Sequence, residues 1–281
     1  MNNLLAGQTA FITGGSGSIG LATAKRLAED GAAVLLMGRG QAALDKARDA
    51  VLQHAPGAKV EIFAGDACVE ADVEAAAKQA HAMQGRLDIL VPTVGGGGGF
   101  KPILLNDVAS FRESMDRNLV SAFIAAKTCV PLMTHGGAIV FLSATSARLG
   151  IAWLSAGATA KSGIEGFMRS AAEEFGAANI RCNAVRPGLT VGGNAALMAP
   201  EVKQAYMDQS PLAKAQNRVG KPEDIAQAIR FLAGPESSWI TGQSIAVDGG
   251  NELRRNPDLF DMVAKVHGKP AMDAVRQGRK P

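Results

Sequence analysis

The 281-residue sequence predicts a doubly wound α/β fold, a parallel sheet with helices on both faces. Three observations carry that reading. Short β-branched or Leu-rich runs alternate regularly with longer segments of helical period. The short runs are nearly continuous in apolar residues, as strands buried on both faces are. The first of them, Phe11-Ile12-Thr13, enters the glycine-rich stretch Gly14-Gly15-Ser16-Gly17-Ser18-Ile19-Gly20 and then the helical pattern Leu21, Ala24, Leu27, Ala28.

Taken in order, strands are expected near residues 8–13, 33–38, 59–64, 88–92, 137–143, 180–186 and 244–247. Helices are expected near 18–30, 41–54, 70–84, 107–133, 155–178 and 222–233. The stretch from Leu189 to Ala215 is broken by Gly192-Gly193, Pro200 and Pro211 into loop and short helices, an insertion that in this fold covers the substrate. A hydrophobic content of 47% suits one large domain over residues 1–250, followed by an extension over 251–281.

The glycine-rich stretch reads as a phosphate cradle. Glycines let backbone approach a pyrophosphate, and the first N–H groups of the following helix face the anion. Gly14, Ser16, Ser18, Ile19 and Gly20 are therefore assigned to a dinucleotide. The second strand, Ala33-Val34-Leu35-Leu36-Met37, ends at Gly38-Arg39. An arginine there suits the 2′-phosphate of NADP(H) where an NAD(H) site places a carboxylate. Asp66, after the third strand, either accepts from the adenine amino group or caps its loop.

Later motifs resemble the classical short-chain dehydrogenase/reductase family, over about residues 6 to 250. Asn118 in Met115-Asp116-Arg117-Asn118-Leu119 matches its active-site asparagine. Ile180-Arg181-Cys182-Asn183-Ala184-Val185-Arg186-Pro187-Gly188 matches the turn beside the nicotinamide, and Arg218 to Ala226, Trp239 to Gln243 and Val247 to Gly250 match its C-terminal pattern. The resemblance implies a Rossmann-type single domain, hydride transfer coupled to proton transfer, and cofactor contacts at Gly95, Pro187, Gly188 and Thr190. It gives Lys161 the nicotinamide ribose and Asn118 a water relay. It also implies a homotetramer or dimer through the helices near 107–133 and 155–178.

The departures from that family are local. Its proton-donating tyrosine, four residues before the lysine, is Gly157 here, and its serine is Ala144 in Leu142-Ser143-Ala144-Thr145. The family's Asn-Asn-Ala-Gly is Pro92-Thr93-Val94-Gly95, running on through Gly99 to Phe100 as a glycine lip. Tyr206, the only tyrosine, lies in the covering segment. Enzymes similar to 2,4-dienoyl-CoA reductase share the absent tyrosine, so hydride transfer to a carbonyl or a conjugated enoyl, with altered proton delivery, is the expected activity. A catalytically silent NADP(H)-binding module and a structural partner of an active paralogue remain as alternatives. Phe100, Trp153, Leu154 and Leu197 suggest an apolar substrate pocket.

The tail from Asn251 holds seven Lys/Arg and four Asp/Glu, which accounts for the formal net charge of +3 and leaves the rest neutral. No basic face for nucleic acid is expected. The N-terminus shows no leader pattern and no apolar run spans a bilayer, so a cytoplasmic protein without membrane partners is expected. Cys68, Cys129 and Cys182 lack CxxC spacing and sit in apolar surroundings, so buried thiols, no disulfide and no metal are expected. His54, His81 and His135 read as surface residues; His267, in the tail, is a catalytic candidate if the tail folds over the site.

Overall fold

A computed structural model describes residues 3–96, 99–192, 196, 198–253 and 258–281. Seven strands, β1 (Thr9–Thr13), β2 (Ala33–Gly38), β3 (Val60–Ala64), β4 (Ile89–Pro92), β5 (Gly137–Leu142), β6 (Ile180–Pro187) and β7 (Ser244–Val247), form one sheet in the order β3-β2-β1-β4-β5-β6-β7. Every pairing is parallel. The helices are α1 (Ser18–Glu29), α2 (Gln41–His54), α3 (Glu70–Gln84), α4 (Val108–Met115), α5 (Ser121–Cys129), α6 (Ser155–Phe175), α7 (Pro200–Gln209), α8 (Pro211–Gln216), α9 (Pro222–Ala233), α10 (Phe260–His267) and α11 (Lys269–Arg276).

Strand alternation divides the core into two layers. Phe11, Leu35 and Met37 pack with α3, α5 and α6 on one face. Ala10, Ile12, Val34 and Leu36 pack with α1, α2 and α9 on the other. Both faces are thus covered, which is why the strand runs are continuously apolar. Charged groups sew elements together where the layers end. The buried Asp30, just past α1, pairs with the buried Arg230 of α9. Asp88 accepts the Thr9 N–H at 2.9 Å, fixing β4 beside β1.

The helix expected over 107–133 is interrupted. Between α4 and α5 a π-turn spans Asp116–Val120. Its cause is Asn118, whose Nδ2 donates to the Ser114 carbonyl at 2.9 Å, the acceptor that an unbroken α-helix would give to the Asn118 backbone N–H. A second correction concerns Cys68. Cys129 and Cys182 are buried as expected, but Cys68 is exposed. Its neighbour Ala67 is buried in the core, but Cys68 and Val69 face outward in the loop beyond β3, where the Cys68 N–H donates to Asp66 Oδ1 at 2.9 Å. Among the described residues no helix is long and apolar enough to cross a membrane, and no His, Cys, Asp and Glu cluster could hold a metal ion.

Candidate active site

The chain leaves β1 toward β2 on one side and reaches β4 on the other, so the carboxyl ends of β1 and β4 flank the switch point of the sheet. Open α/β sheets bind ligands in that crevice. Gly14 closes β1 with φ +73°, a left-handed conformation that favours glycine, and a Cβ there would stand 2.8 Å from Thr93 Oγ1. A Cβ on Gly20 would overlap the Gly14 carbonyl oxygen. No side chain caps the start of α1 at Gly17, so its first N–H groups face the crevice. The backbone is shaped to admit a phosphate-sized anion, which is the fit a dinucleotide requires. Arg39 is exposed at the end of β2 and, among the described residues, has no carboxylate partner. Asp66 caps the Cys68 turn with one oxygen.

Asn118 and Lys161 converge on one glycine. A Cβ at Gly95 would meet Asn118 Oδ1 at 2.9 Å and Lys161 Nζ at 3.1 Å. Asn118 clamps the next residue, accepting the Gly96 N–H at 3.1 Å and donating to its carbonyl at 3.0 Å. Lys161 Nζ donates to the Leu142 carbonyl at 2.8 Å. The π-turn and α6 thus place an amide and an ammonium where β4 ends. Gly97 and Gly98 of the expected lip lie outside the described residues, as does Leu197 of the expected pocket.

A cavity of about 450 Å³ opens from this point. Gly14, Ser18, Ile19, Gly20, Gly95 and Lys161 line the side at the glycine-rich turn, and Pro187, Gly188 and Thr190 line the end of β6. Ala144 and Thr145 face it, whereas the Ser143 hydroxyl is committed to Glu165 Oε1 at 2.8 Å. A Cβ at position 157 would be in ordinary contact with the Leu154 side chain at 3.6 Å. Among the expected apolar residues, Phe100 and Leu154 line the cavity. Trp153 stands behind them, its ring tilted 60° to that of Phe260 with centroids 6.3 Å apart.

Sequence reasoning missed parts of the wall. Thr93 donates to the Thr13 carbonyl at 2.7 Å and so pins β4 to the phosphate turn. Its place directly after a strand end was the available signal. Tyr206 lines the cavity from α7, and its hydroxyl donates to Asn251 Oδ1 at 2.6 Å. Burial pushes that phenol up to about 12. Leu259 closes the wall from the C-terminal tail, whose Phe260, Val263 and Met272 pack with Phe100, Ile151 and Trp153. Tyr206 was placed by the sequence in the covering segment, whereas nothing local marks the contacts of the tail. The tail does fold over its own site, but His267 is not in the cavity lining; its Nε2 lies 3.3 Å from the Phe100 carbonyl oxygen.

Residues 14–252 match the family model described as Enoyl-(Acyl carrier protein) reductase, whose span holds both the phosphate turn and the Asn118–Lys161 pair. The chain is a short-chain dehydrogenase/reductase. It is 34% identical over 252 residues to the cis-4-hydroxycyclohexanecarboxylate dehydrogenase of Sinomonas cyclohexanicum, covering 89% of this chain and 98% of that one. A short-chain type dehydrogenase/reductase from Mycobacterium ulcerans superposes with TM-score 0.88 at 32% identity, over 96% of this chain and 98% of its own. A 7α-hydroxysteroid dehydrogenase complexed with NADH and 7-oxo glycochenodeoxycholic acid superposes with TM-score 0.83 at 30% identity, over 91% and 97%. As a short-chain dehydrogenase/reductase the protein is an oxidoreductase whose family binds nicotinamide cofactors.

Lys161 also has a consequence for stability in this short-chain dehydrogenase/reductase. Burial lowers its ammonium from 10.5 to about 8. Between those values the folded protein binds fewer protons than the unfolded chain, so stability rises as pH rises from about 8 to 10.5. Below that window the charge-burial cost is fully present, on the order of 3 kcal/mol. Lys161→Met is expected to remove it: without cofactor, the variant's stability relative to the parent is greatest at pH 7 and declines on approaching pH 10.5. Denaturant melts at both ends of the window check this; a pH-independent difference contradicts it.

Proposed function

We propose that this short-chain dehydrogenase/reductase uses NADP(H) to interconvert an apolar, preferably alicyclic, ketone or conjugated enoyl compound with its reduced form, with proton delivery that does not use a tyrosine before the lysine. The observation that carries this is the convergence of Lys161 and Asn118 on Gly95, at the mouth of an intact phosphate turn, with no side chain at Gly157. The cofactor, when bound, supplies the hydride. Gly14 and Gly20 admit its phosphates, Arg39 receives the 2′-phosphate and Lys161 holds the nicotinamide ribose. Asn118 orders Gly95-Gly96 and so shapes the floor beneath the reacting carbon. Leu154, Leu259 and Phe100 exclude water from the opposite side. Similarity to proteins named for a ring-hydroxylated carboxylate and for a hydroxysteroid supports alicyclic substrates.

Association through α4, α5 and α6, giving a dimer or tetramer, is part of the same reading. Phe123 of α5 is exposed and meets Phe167 of α6 edge-on at 5.7 Å, so that face presents aromatic surface. A cytoplasmic location belongs to it as well.

The test pairs cofactor binding with turnover. NADPH is expected to bind more tightly than NADH, and Arg39→Asp is expected to reverse the order, at a cost to NADPH of roughly tenfold to a hundredfold, the worth of a charge-assisted contact. NADPH absorbance is then followed with cyclic ketones, enones and dienoyl thioesters. Binding without turnover on any of them supports a silent module and overturns the enzymatic reading.

A further inference from the structure

Resting on that oxidoreductase reading, we propose that Lys161 is itself the proton donor to the substrate oxygen, in the cavity that Lys161 lines and from which the residue four positions earlier, Gly157, contributes no hydroxyl.

Gly157 and Lys161 are four residues apart on α6 and therefore share one helix face. No side chain projects from position 157, and a Cβ there would make only ordinary contact with the Leu154 side chain at 3.6 Å. An ammonium carries three donors. The hydrogen bond to the Leu142 carbonyl holds one N–H, and among the described residues no carboxylate lies within 4.0 Å of Nζ. Lys161 lines the cavity, so two N–H groups remain for ligand.

The other hydroxyl and amine groups of the wall are less suited. Ser143 is bound to Glu165, Thr93 to the Thr13 carbonyl and Thr190 to the Gly188 carbonyl. Thr145 and Ser146 carry aliphatic hydroxyls, which are far weaker acids than an ammonium. Tyr206 directs its proton to Asn251, and burial makes it a weaker acid than a free phenol. Burial acts oppositely on Lys161, bringing its ammonium to about 8, in the range where a proton donor is effective at neutral pH.

The step balances. In reduction of a ketone, hydride from the reduced nicotinamide adds to the carbonyl carbon while the π pair moves onto oxygen. That oxygen takes a proton from Nζ, leaving a neutral amine still donating to Leu142. Water at the cavity mouth returns the proton. In oxidation of the alcohol the same amine is the base.

A positioning role and an acid role separate at this residue because arginine keeps the cation and the donors but does not release a proton in the working range. With the best ketone of the panel, Lys161→Arg and Lys161→Ala are compared with the parent at saturating NADPH, the affinity of each being read by cofactor fluorescence so that a weakened ribose contact is separated from kcat. Both are expected to lose about a hundredfold or more in kcat, the worth of a general acid. Added methylamine should restore kcat to Lys161→Ala in a saturable way, whereas guanidinium should not. Gly157→Tyr placed in the Lys161→Arg background should recover turnover, because it supplies a phenol one helical turn before the lost acid.

Turnover by Lys161→Arg within about tenfold of the parent would show that the cation suffices and overturn the proposal. So would a Tyr206→Phe variant as inactive as Lys161→Ala together with no amine rescue, which would move the acid to Tyr206. A parent protein that binds NADPH but reduces nothing defeats the oxidoreductase reading instead, and the proposal falls with it.

Discussion

Gly20→Val is expected to abolish dinucleotide binding. Gly20 sits in the first turn of α1, and a Cβ there would overlap the Gly14 carbonyl oxygen, the same oxygen that accepts the Gly17 N–H at 2.9 Å. The turn cannot retreat, because Gly14 is held on its other side by Thr93, whose hydroxyl is tied to Thr13. A branched side chain must therefore displace the start of α1, and with it the N–H groups that would receive the pyrophosphate. A loss of about a hundredfold or more in NADPH affinity is expected, since several charge-assisted bonds go together. Fluorescence titration reads the affinity, and circular dichroism shows whether the sheet survives. Gly20→Ala, a smaller insult, should fall between parent and valine variant. A folded valine variant binding NADPH within threefold of the parent would remove the cradle from this account.

Phe260→Ala is expected to free the tail from the site. Phe260 is buried, meets the Trp153 ring at a 60° tilt and receives the Arg276 guanidinium 3.7 Å above its own ring. Truncating a buried phenylalanine typically costs about 3–5 kcal/mol. Here the cost falls on a small satellite cluster rather than on the main core, so local release of α10 and α11 is expected ahead of global unfolding. Leu259 would leave the cavity wall with them. The expected signature is protease cleavage within residues 258–281, KM for apolar substrates raised by about tenfold or more, and NADPH affinity preserved. Unchanged KM with an intact, protease-resistant tail would mean that the tail does not form the substrate wall.

The contrast between those two sites also explains what the sequence could disclose. Each expected strand lies within one or two residues of an observed one, because strands buried on both faces leave an uninterrupted apolar mark. Gly14 and Gly20 were legible for a local reason: two close backbone approaches inside seven residues demand glycine. Lys161 and Asn118 were legible through the spacing of recurrent motifs. The π-turn at Asn118 was not, because helical period tolerates one inserted residue and only the competition for the Ser114 carbonyl reveals it. Leu259 and the Trp153–Phe260 contact depend on a segment more than fifty residues from the motifs it meets, which no periodicity records. Cys68 failed in the opposite way, since apolar neighbours along the chain are no guarantee of burial at a loop on the sheet's edge.

The tail also orders events in time. The residues proposed to hold a dinucleotide precede Asn251, whereas the cavity wall is completed by Leu259, with Phe260 and Met272 packed behind it. During synthesis, the cofactor compartment can therefore be assembled before the substrate compartment exists. A fusion placed on the exposed C-terminus, or a nick just ahead of α10, would leave a protein that still takes up cofactor yet handles its substrate as an open surface does.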